Sequence, residues 1–243
     1  MSRQLNYKQK DILQTVLRFR YVTTDNLANT RNITQNSAYS TLEILNKAGY
    51  LGKIHDKSYR LQNKSARYFL TTQAVDYLRY EAGIEQPESI WKSRKRDSSR
   101  SQDFINQQVA IHGAYNKLNR QLGKGDTIKT ASELYGIEGI IKPMPSLMIE
   151  KKSGKLYFVE LADGQHLFLA KKRIRKYIEN YDAEDWGWEK YPDVYFVRTN
   201  SSADCTRLLK YIEQKMDDAY LDEDDFSFYV VNSINYIDVA TCL

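Results

Sequence analysis

A glutamate at the end of an apolar run is the residue whose surroundings best suit metal-assisted hydrolysis. Glu160 lies in KLYFVELADG, residues 155–164, whose apolar side chains predict a buried strand. A hard cation such as Mg²⁺ needs several oxygen ligands, and a positive side chain nearby helps to ionise the attacking water. Glu160 therefore has two interpretations: it is a metal ligand, or it is a strand-end residue held in a hydrogen bond or salt pair.

The groups that would complete a metal site have to come from positions around Glu160. Asp163 lies three residues later, and Lys172 belongs to the basic run KKRIRK in the next predicted helix. In such a site, Glu160 and Asp163 would bind the cation and Lys172 would supply positive charge. No cofactor is expected unless this nuclease alternative holds, in which case the cofactor is Mg²⁺.

Other catalytic chemistry finds little support in the sequence. His55, His112 and His166 are isolated, so no paired-histidine metal site is predicted, and His112 is expected to be a packed core residue. Cys205 and Cys242 lie far apart without a CxxC spacing, so neither a zinc site nor a disulfide is predicted.

The elements around Glu160 predict an α/β domain over residues 103–243. A long amphipathic helix comes first, and the candidate strands are DTIKTASEL, PSLMIE, KLYFVELA, DVYFVRT and FSFYVV, with helices HLFLAKKRIRKYIENY and SADCTRLLKYIEQKMDD between the later strands. A helix between two strands normally makes a parallel crossover, so we expect a mixed sheet flanked by helices.

The first 84 residues show a different order of elements. Cap residues Asn6, Thr23 or Thr24, and Thr34 begin three helices, and a fourth helix begins at Thr71 or Thr72. Between them, GYLGKIHDKSYRL predicts a hairpin with a turn near Asp56, and RYFL predicts a further strand. This order is typical of a winged helix-turn-helix, whose third helix enters the major groove of DNA.

The third predicted helix has the side chains needed to read bases. Ala38, Leu42 and Leu45 fall on one face and predict contact with the core. The candidate base-contacting residues lie off that face: Gln35, Asn36, Ser37, Tyr39 and Ser40. Gln and Asn pair bidentately with adenine, whereas Ser and Tyr reach bases or phosphates. The predicted hairpin adds four candidate phosphate contacts: Lys53, Lys57, Arg60 and Lys64.

The distribution of charge also divides the chain into two parts, close to the boundary that the order of elements predicts. Residues 1–100 contain 18 Lys and Arg and 9 Asp and Glu, a net charge of +9, whereas the remaining residues contain 18 and 22, a net charge of −4. A basic half favours nucleic acid as partner. Residues 85–102, EQPESIWKSRKRDSSRSQ, lack the apolar periodicity of a packed element and predict a basic linker.

Two resemblances add to these expectations. The element order with an acid on the third strand resembles the PD-(D/E)xK nuclease core, which implies a restriction-endonuclease-like fold. Ser146 and Ala162 stand where that family has Asp and Lys, so we expect an inactive, nuclease-like scaffold over residues 103–243. The whole chain is similar to the replication-relaxation family through RYFLTTQAVDYL, FVELADG followed by KKRIRKY, and YPDVYFVRTNSSADCTRLLKYI. The resemblance implies a DNA-binding accessory protein of plasmids and mobile elements.

We therefore expect a protein that binds duplex DNA in plasmid replication, relaxation or conjugative mobilisation. A relaxase, a replication or conjugation protein, or a second copy of the chain is the expected protein partner. A metal-dependent nuclease with displaced ligands and a winged-helix transcription regulator are the alternatives. The polar start MSRQLNYKQK and the lack of a long apolar run predict a cytoplasmic protein without a membrane partner.

Overall fold

A computed structural model describes residues 5–55, 57–163, 165–198, 202–222 and 224–237. The chain divides into two compact units, Met1–Asn116 and Lys117–Leu243. The expected mixture of helices with a mixed sheet is confirmed. Cys242 lies outside the described residues.

Three capped helices open the first unit: α1 (Tyr7–Phe19), α2 (Thr24–Arg31) and α3 (Gln35–Lys47). Asn6, Thr23 and Thr34 are the N-caps, and each side chain accepts a hydrogen bond from a backbone N–H in the first turn. The predicted helix starts are therefore confirmed.

The predicted hairpin is only half right. Strand β1 (Leu51–Ile54) forms as expected, but the return segment SYRL lies in a short helix, α4 (Lys57–Leu61). The partner of β1 is β2 (Arg67–Leu70), and the two strands are antiparallel. All four residues of β2 are buried, whereas Leu61 is 87% exposed, so RYFL buries more apolar surface against β1 than SYRL would. The predicted turn at Asp56 lies outside the described residues.

The segment predicted to be a linker is a packed part of the first unit. The chain continues from β2 through α5 (Thr72–Asp76) and a π-helical turn (Tyr77–Glu81) to α6 (Glu88–Arg94), a 3₁₀ turn (Asp97–Ser99) and α7 (Gln102–Asn119). Ile90 and Trp91 of α6 are buried, and so are Arg94 and Asp97. The prediction of a basic linker without a packed element over residues 85–102 is wrong, because Ile90 and Trp91 are buried and Asp97 pairs with Arg20 of the same unit. The boundary between the units follows Asn116 instead.

The second unit contains a five-stranded mixed sheet. Its strands are β3 (Thr127–Thr130), β4 (Leu147–Glu150), β5 (Leu156–Leu161), β6 (Asp193–Val197) and β7 (Phe228–Val231), adjacent in that order. The pairs β3–β4 and β4–β5 are antiparallel, and β5–β6 and β6–β7 are parallel. The expected parallel crossovers are thus confirmed.

Helices α8 (Leu167–Asp182) and α9 (Ser202–Asp218) make the two crossovers. Ile174 and Tyr177 of α8 and Leu208 of α9 share a buried cluster with Phe158 and Phe196 of the sheet. The indole rings of Trp186 and Trp188, in the loop before β6, pack against this cluster. Within the part of the chain that the structure describes, no helix is both long and apolar enough to cross a membrane.

Candidate nucleic-acid interface and the strand-end glutamate

Helix α3 separates an apolar face from a polar face, as its sequence predicts. Ala38, Leu42 and Leu45 are fully buried. The predicted base-contacting residues are all exposed: Gln35, Asn36, Ser37, Tyr39 and Ser40. Tyr39 is 50% exposed although it is a large aromatic residue. The structure therefore brings the five residues together on one solvent-facing surface at the N-terminal half of α3.

Lys53 of β1 is engaged within the protein. Its Nζ lies 2.7 Å from Oε1 of Glu43 on α3, and the Tyr68 hydroxyl of β2 donates to the same oxygen at 2.6 Å. Desolvation favours the neutral form of Glu43, but the hydrogen bonds from Lys53 and Tyr68 outweigh it and lower the pKa of that carboxyl. Lys53 thus helps to fix α3 against the strands, a role that the sequence prediction of a phosphate contact missed.

The other predicted phosphate contacts lie between β1 and β2. Lys57 is exposed at the start of α4, and Lys64 is half-buried. The side chain of Arg60 lies outside the described part of the structure. Tyr59 anchors this connection, because its ring is buried and its hydroxyl donates to Oε1 of Gln102 at 2.8 Å. Of the basic side chains that the structure describes in this connection, Lys57 is therefore the exposed one.

A buried polar network supports α2, the helix that precedes α3. His112 of α7 is fully buried, and its ring stacks on Phe19 with centroids 3.8 Å apart. Its Nε2 lies 2.7 Å from Oγ1 of Thr30 on α2, and Thr30 also contacts Oδ1 of Asn116 at 2.8 Å. Burial lowers the pKa of His112 to about 3, with a contribution from the Arg18 charge. The prediction of a packed core histidine is confirmed.

A second buried cluster packs part of the basic segment 85–102 against residues near the end of α1. Arg20 donates to the buried carboxylate of Asp97, and Arg94 donates through Nε to the carbonyl of Leu17 at 2.9 Å. Desolvation lowers the pKa of Arg94 to about 9, and the nearby Arg20 charge contributes in the same direction. Arg94 therefore holds α6 against α1 and is not available to phosphates.

The carboxylate of Glu160 lies at the end of β5 in an ion pair. Its Oε1 accepts a hydrogen bond of 2.5 Å from Arg173 Nε and one of 2.6 Å from the Tyr177 hydroxyl, both on α8. The side chains of Glu160 and Arg173 are only 14% and 11% exposed. Burial and the Glu160 charge raise the pKa of the Tyr177 hydroxyl far above its usual value. This geometry supports the interpretation of Glu160 as a strand-end residue held in a salt pair.

Ser146 immediately precedes β4 and lies beside the end of β5, next to Glu160. The antiparallel register pairs Leu147 with Val159, and Ser146 Oγ accepts a hydrogen bond from the Leu161 N–H at 3.3 Å. Ala162 is buried immediately after β5. The two positions where the nuclease family has Asp and Lys therefore hold a hydrogen-bonded hydroxyl and a buried methyl group.

The three predicted catalytic residues do not form one cluster of contacts. Asp163 lies in the turn after β5, and Lys172 is exposed on α8. Among the described residues, Glu160 is hydrogen-bonded to Arg173 and Tyr177, not to Lys172. The described residues also include no group of three or more His, Cys, Asp or Glu side chains that could hold a metal ion.

The comparisons with known proteins give no relative. No protein-family model matches the chain, and neither a curated protein nor a solved structure gives a significant match.

Proposed function

We propose that the protein binds duplex DNA with sequence preference and acts as an accessory factor in plasmid or mobile-element replication, relaxation or conjugative mobilisation. The observation that carries this proposal is the exposed polar surface of α3. Asn36 and Gln35 offer amide groups suited to adenine, and Tyr39 and Ser40 extend the surface along the helix. Its site of action is then the cytoplasm, where such DNA is found.

The arrangement of the first unit supports a winged helix-turn-helix. Three helices precede an antiparallel strand pair, and an isolated bridge joins Val22, between α1 and α2, to Tyr68 of β2. In this fold the third helix lies in the major groove, and the connection between the strands approaches the DNA backbone. In this proposal α3 reads bases, and Lys57 with Lys64 contacts phosphates.

We assign the second unit a scaffold role with a nuclease-like fold. The order of its strands and the position of Ser146 opposite Glu160 agree with that resemblance. The Glu160 carboxylate is already occupied by Arg173 and Tyr177, which disfavours the alternative of a nuclease with displaced ligands. This unit would contact a relaxase, a replication protein or a second copy of the chain.

A gel-shift titration tests the recognition surface. The double variant Asn36→Ala, Tyr39→Ala is compared with the wild type on the intergenic DNA of the protein's own element. Because one bidentate base contact contributes roughly 1–3 kcal/mol, we expect affinity to fall at least about fivefold. The control is Tyr80→Ala, which removes another exposed tyrosine far from α3 in sequence. Unchanged affinity of the double variant would exclude α3 as the recognition helix.

A further inference from the structure

The first turns of α8 contain a concentration of positive charge. Between Leu167 and Lys176 the charged residues are Lys171, Lys172, Arg173, Arg175 and Lys176, and none is acidic. Arg173 is neutralised internally by Glu160. Lys172 and Arg175 are exposed, one helical turn apart, so they lie on the same face of α8.

These cations are not neutralised by carboxylates of the described residues. No ion pair joins Lys171, Lys172, Arg175 or Lys176 to a described acidic side chain. Lys171 lies over the ring of Tyr211 at 4.7 Å, and Lys176 donates to the carbonyl of Lys142 at 3.3 Å. The acidic residues of α8, Glu179 and Asp182, lie at its other end.

The distribution of charge opposes the stability of the helix. The C-terminal end of a helix carries partial negative charge, and anions there are unfavourable. Here the acidic residues Glu179 and Asp182 lie towards the C-terminal end, the basic residues occupy the second and third turns, and the cap residue His166 makes no side-chain cap hydrogen bond. A charge pattern that local stability disfavours is characteristic of a functional surface.

Apolar side chains continue this surface at the start of α8. Phe168 is 64% exposed and Leu169 is 48% exposed. Phe168 lies four residues before Lys172 and therefore on the same face. In a duplex complex, contacts to phosphate and sugar position the protein without reading sequence, and an exposed apolar side chain beside the cations can lie against the sugar.

We propose that this face of α8, defined by Phe168, Lys172 and Arg175, is a second DNA-contacting surface that binds the phosphate backbone without reading sequence. The inference rests on the proposed DNA-binding function, and it adds a site in the second unit, whose net charge is acidic over residues 101–243. Duplex DNA is the ligand that we infer, because its closely spaced phosphates are complementary to the positive charges of Lys172 and Arg175.

The test is a salt titration of the full-length chain on a short fluorescent duplex of unrelated sequence. Lys172→Gln with Arg175→Gln removes both cations. We expect the slope of log affinity against log salt concentration to become shallower by about 0.9 for each phosphate that the variant no longer neutralises. The matched control is Arg207→Gln with Lys210→Gln, which removes two exposed cations at the same spacing on α9 and leaves the slope unchanged.

The outcomes separate this inference from the proposed function. If Asn36→Ala with Tyr39→Ala abolishes sequence preference while Lys172→Gln with Arg175→Gln keeps the full slope, only the inference about α8 is wrong. If the wild type binds no DNA, both are wrong. A basic face with exposed apolar residues also suits anionic membranes. Loss of binding to phosphatidylserine vesicles, with the DNA slope unchanged, would overturn the proposal in favour of a lipid surface.

Discussion

The Nε atom of Arg173 on α8 donates a hydrogen bond of 2.5 Å to Oε1 of Glu160 on β5. Both side chains are largely buried, and Tyr177 donates to the same oxygen. Removing one member of a buried pair leaves the other charge without compensation, which costs more than the pair itself contributes. Glu160 therefore connects the crossover helix to the sheet.

We expect Glu160→Ala to lower the free energy of unfolding by about 3 kcal/mol, because Arg173 and Tyr177 lose their acceptor. Glu160→Gln keeps an acceptor and should have a smaller effect. Urea denaturation measures both variants. Glu150→Ala is the control, since its ion pair with Lys129 is much more exposed and contributes less than about 1 kcal/mol. A Glu160→Ala variant that is fully stable but loses Mg²⁺-dependent DNA cleavage would contradict the structural role.

Acid should destabilise the first unit through His112. The folded-state pKa of His112 is about 3, below the value near 6.5 of an unfolded histidine. Between these values only the unfolded chain takes up the proton, so stability falls as the pH decreases from about 6.5, by about 1.4 kcal/mol per pH unit for this group. The unfolding free energy measured at successive pH values should therefore have a smaller slope in His112→Gln.

The exposed histidine His166 supplies the comparison for this experiment. His166→Gln removes an exposed imidazole ring from the second unit without touching the network of Thr30 and Asn116. Its pH profile should match that of the wild type. Equal slopes in the wild type and His112→Gln would show that the buried ring does not resist protonation.

Lys53 and Lys57 should differ in their contribution to DNA binding. Lys53 is paired with Glu43, whereas Lys57 is exposed. Lys57→Gln should reduce the salt slope of DNA affinity by about 0.9, and Lys53→Gln should leave it nearly unchanged. Fluorescence anisotropy over a salt series distinguishes the two variants. A larger slope change for Lys53→Gln would mean that its pairing with Glu43 opens on binding.

Trp91 should stabilise the first unit although it lies in the segment predicted to be a linker. Its side chain is buried in α6, so Trp91→Ala should cost about 3–5 kcal/mol through the cavity that it leaves. Trp91→Phe should cost less. Urea denaturation followed by circular dichroism measures the decrease in stability. A connector outside the core would tolerate Trp91→Ala with no change.

Local patterns predicted the parts of this protein that are decided by neighbouring residues. Helix α3 is an example: Thr34 caps it, and the spacing of Ala38, Leu42 and Leu45 identifies its buried face. The parallel strands around α8 and α9 were predictable too, because each helix makes a crossover.

Interactions between distant positions could not be predicted from the sequence. SYRL and RYFL have similar strand propensity, and only packing against the rest of the first unit selects RYFL as the partner of β1. The ion pair of Lys53 with Glu43 joins residues ten positions apart on different elements. Likewise, Asp97 meets Arg20 from 77 positions away, which composition alone cannot indicate.

The hydrogen bond between the Tyr59 hydroxyl and Gln102 has a consequence for the strength of the proposed DNA contact. It tethers the connection between β1 and β2 close to Lys57. A segment that is already ordered loses less conformational entropy on association. Under the proposed function, the affinity contributed by Lys57 is thus set in part by preorganisation from a tyrosine whose ring faces the protein interior.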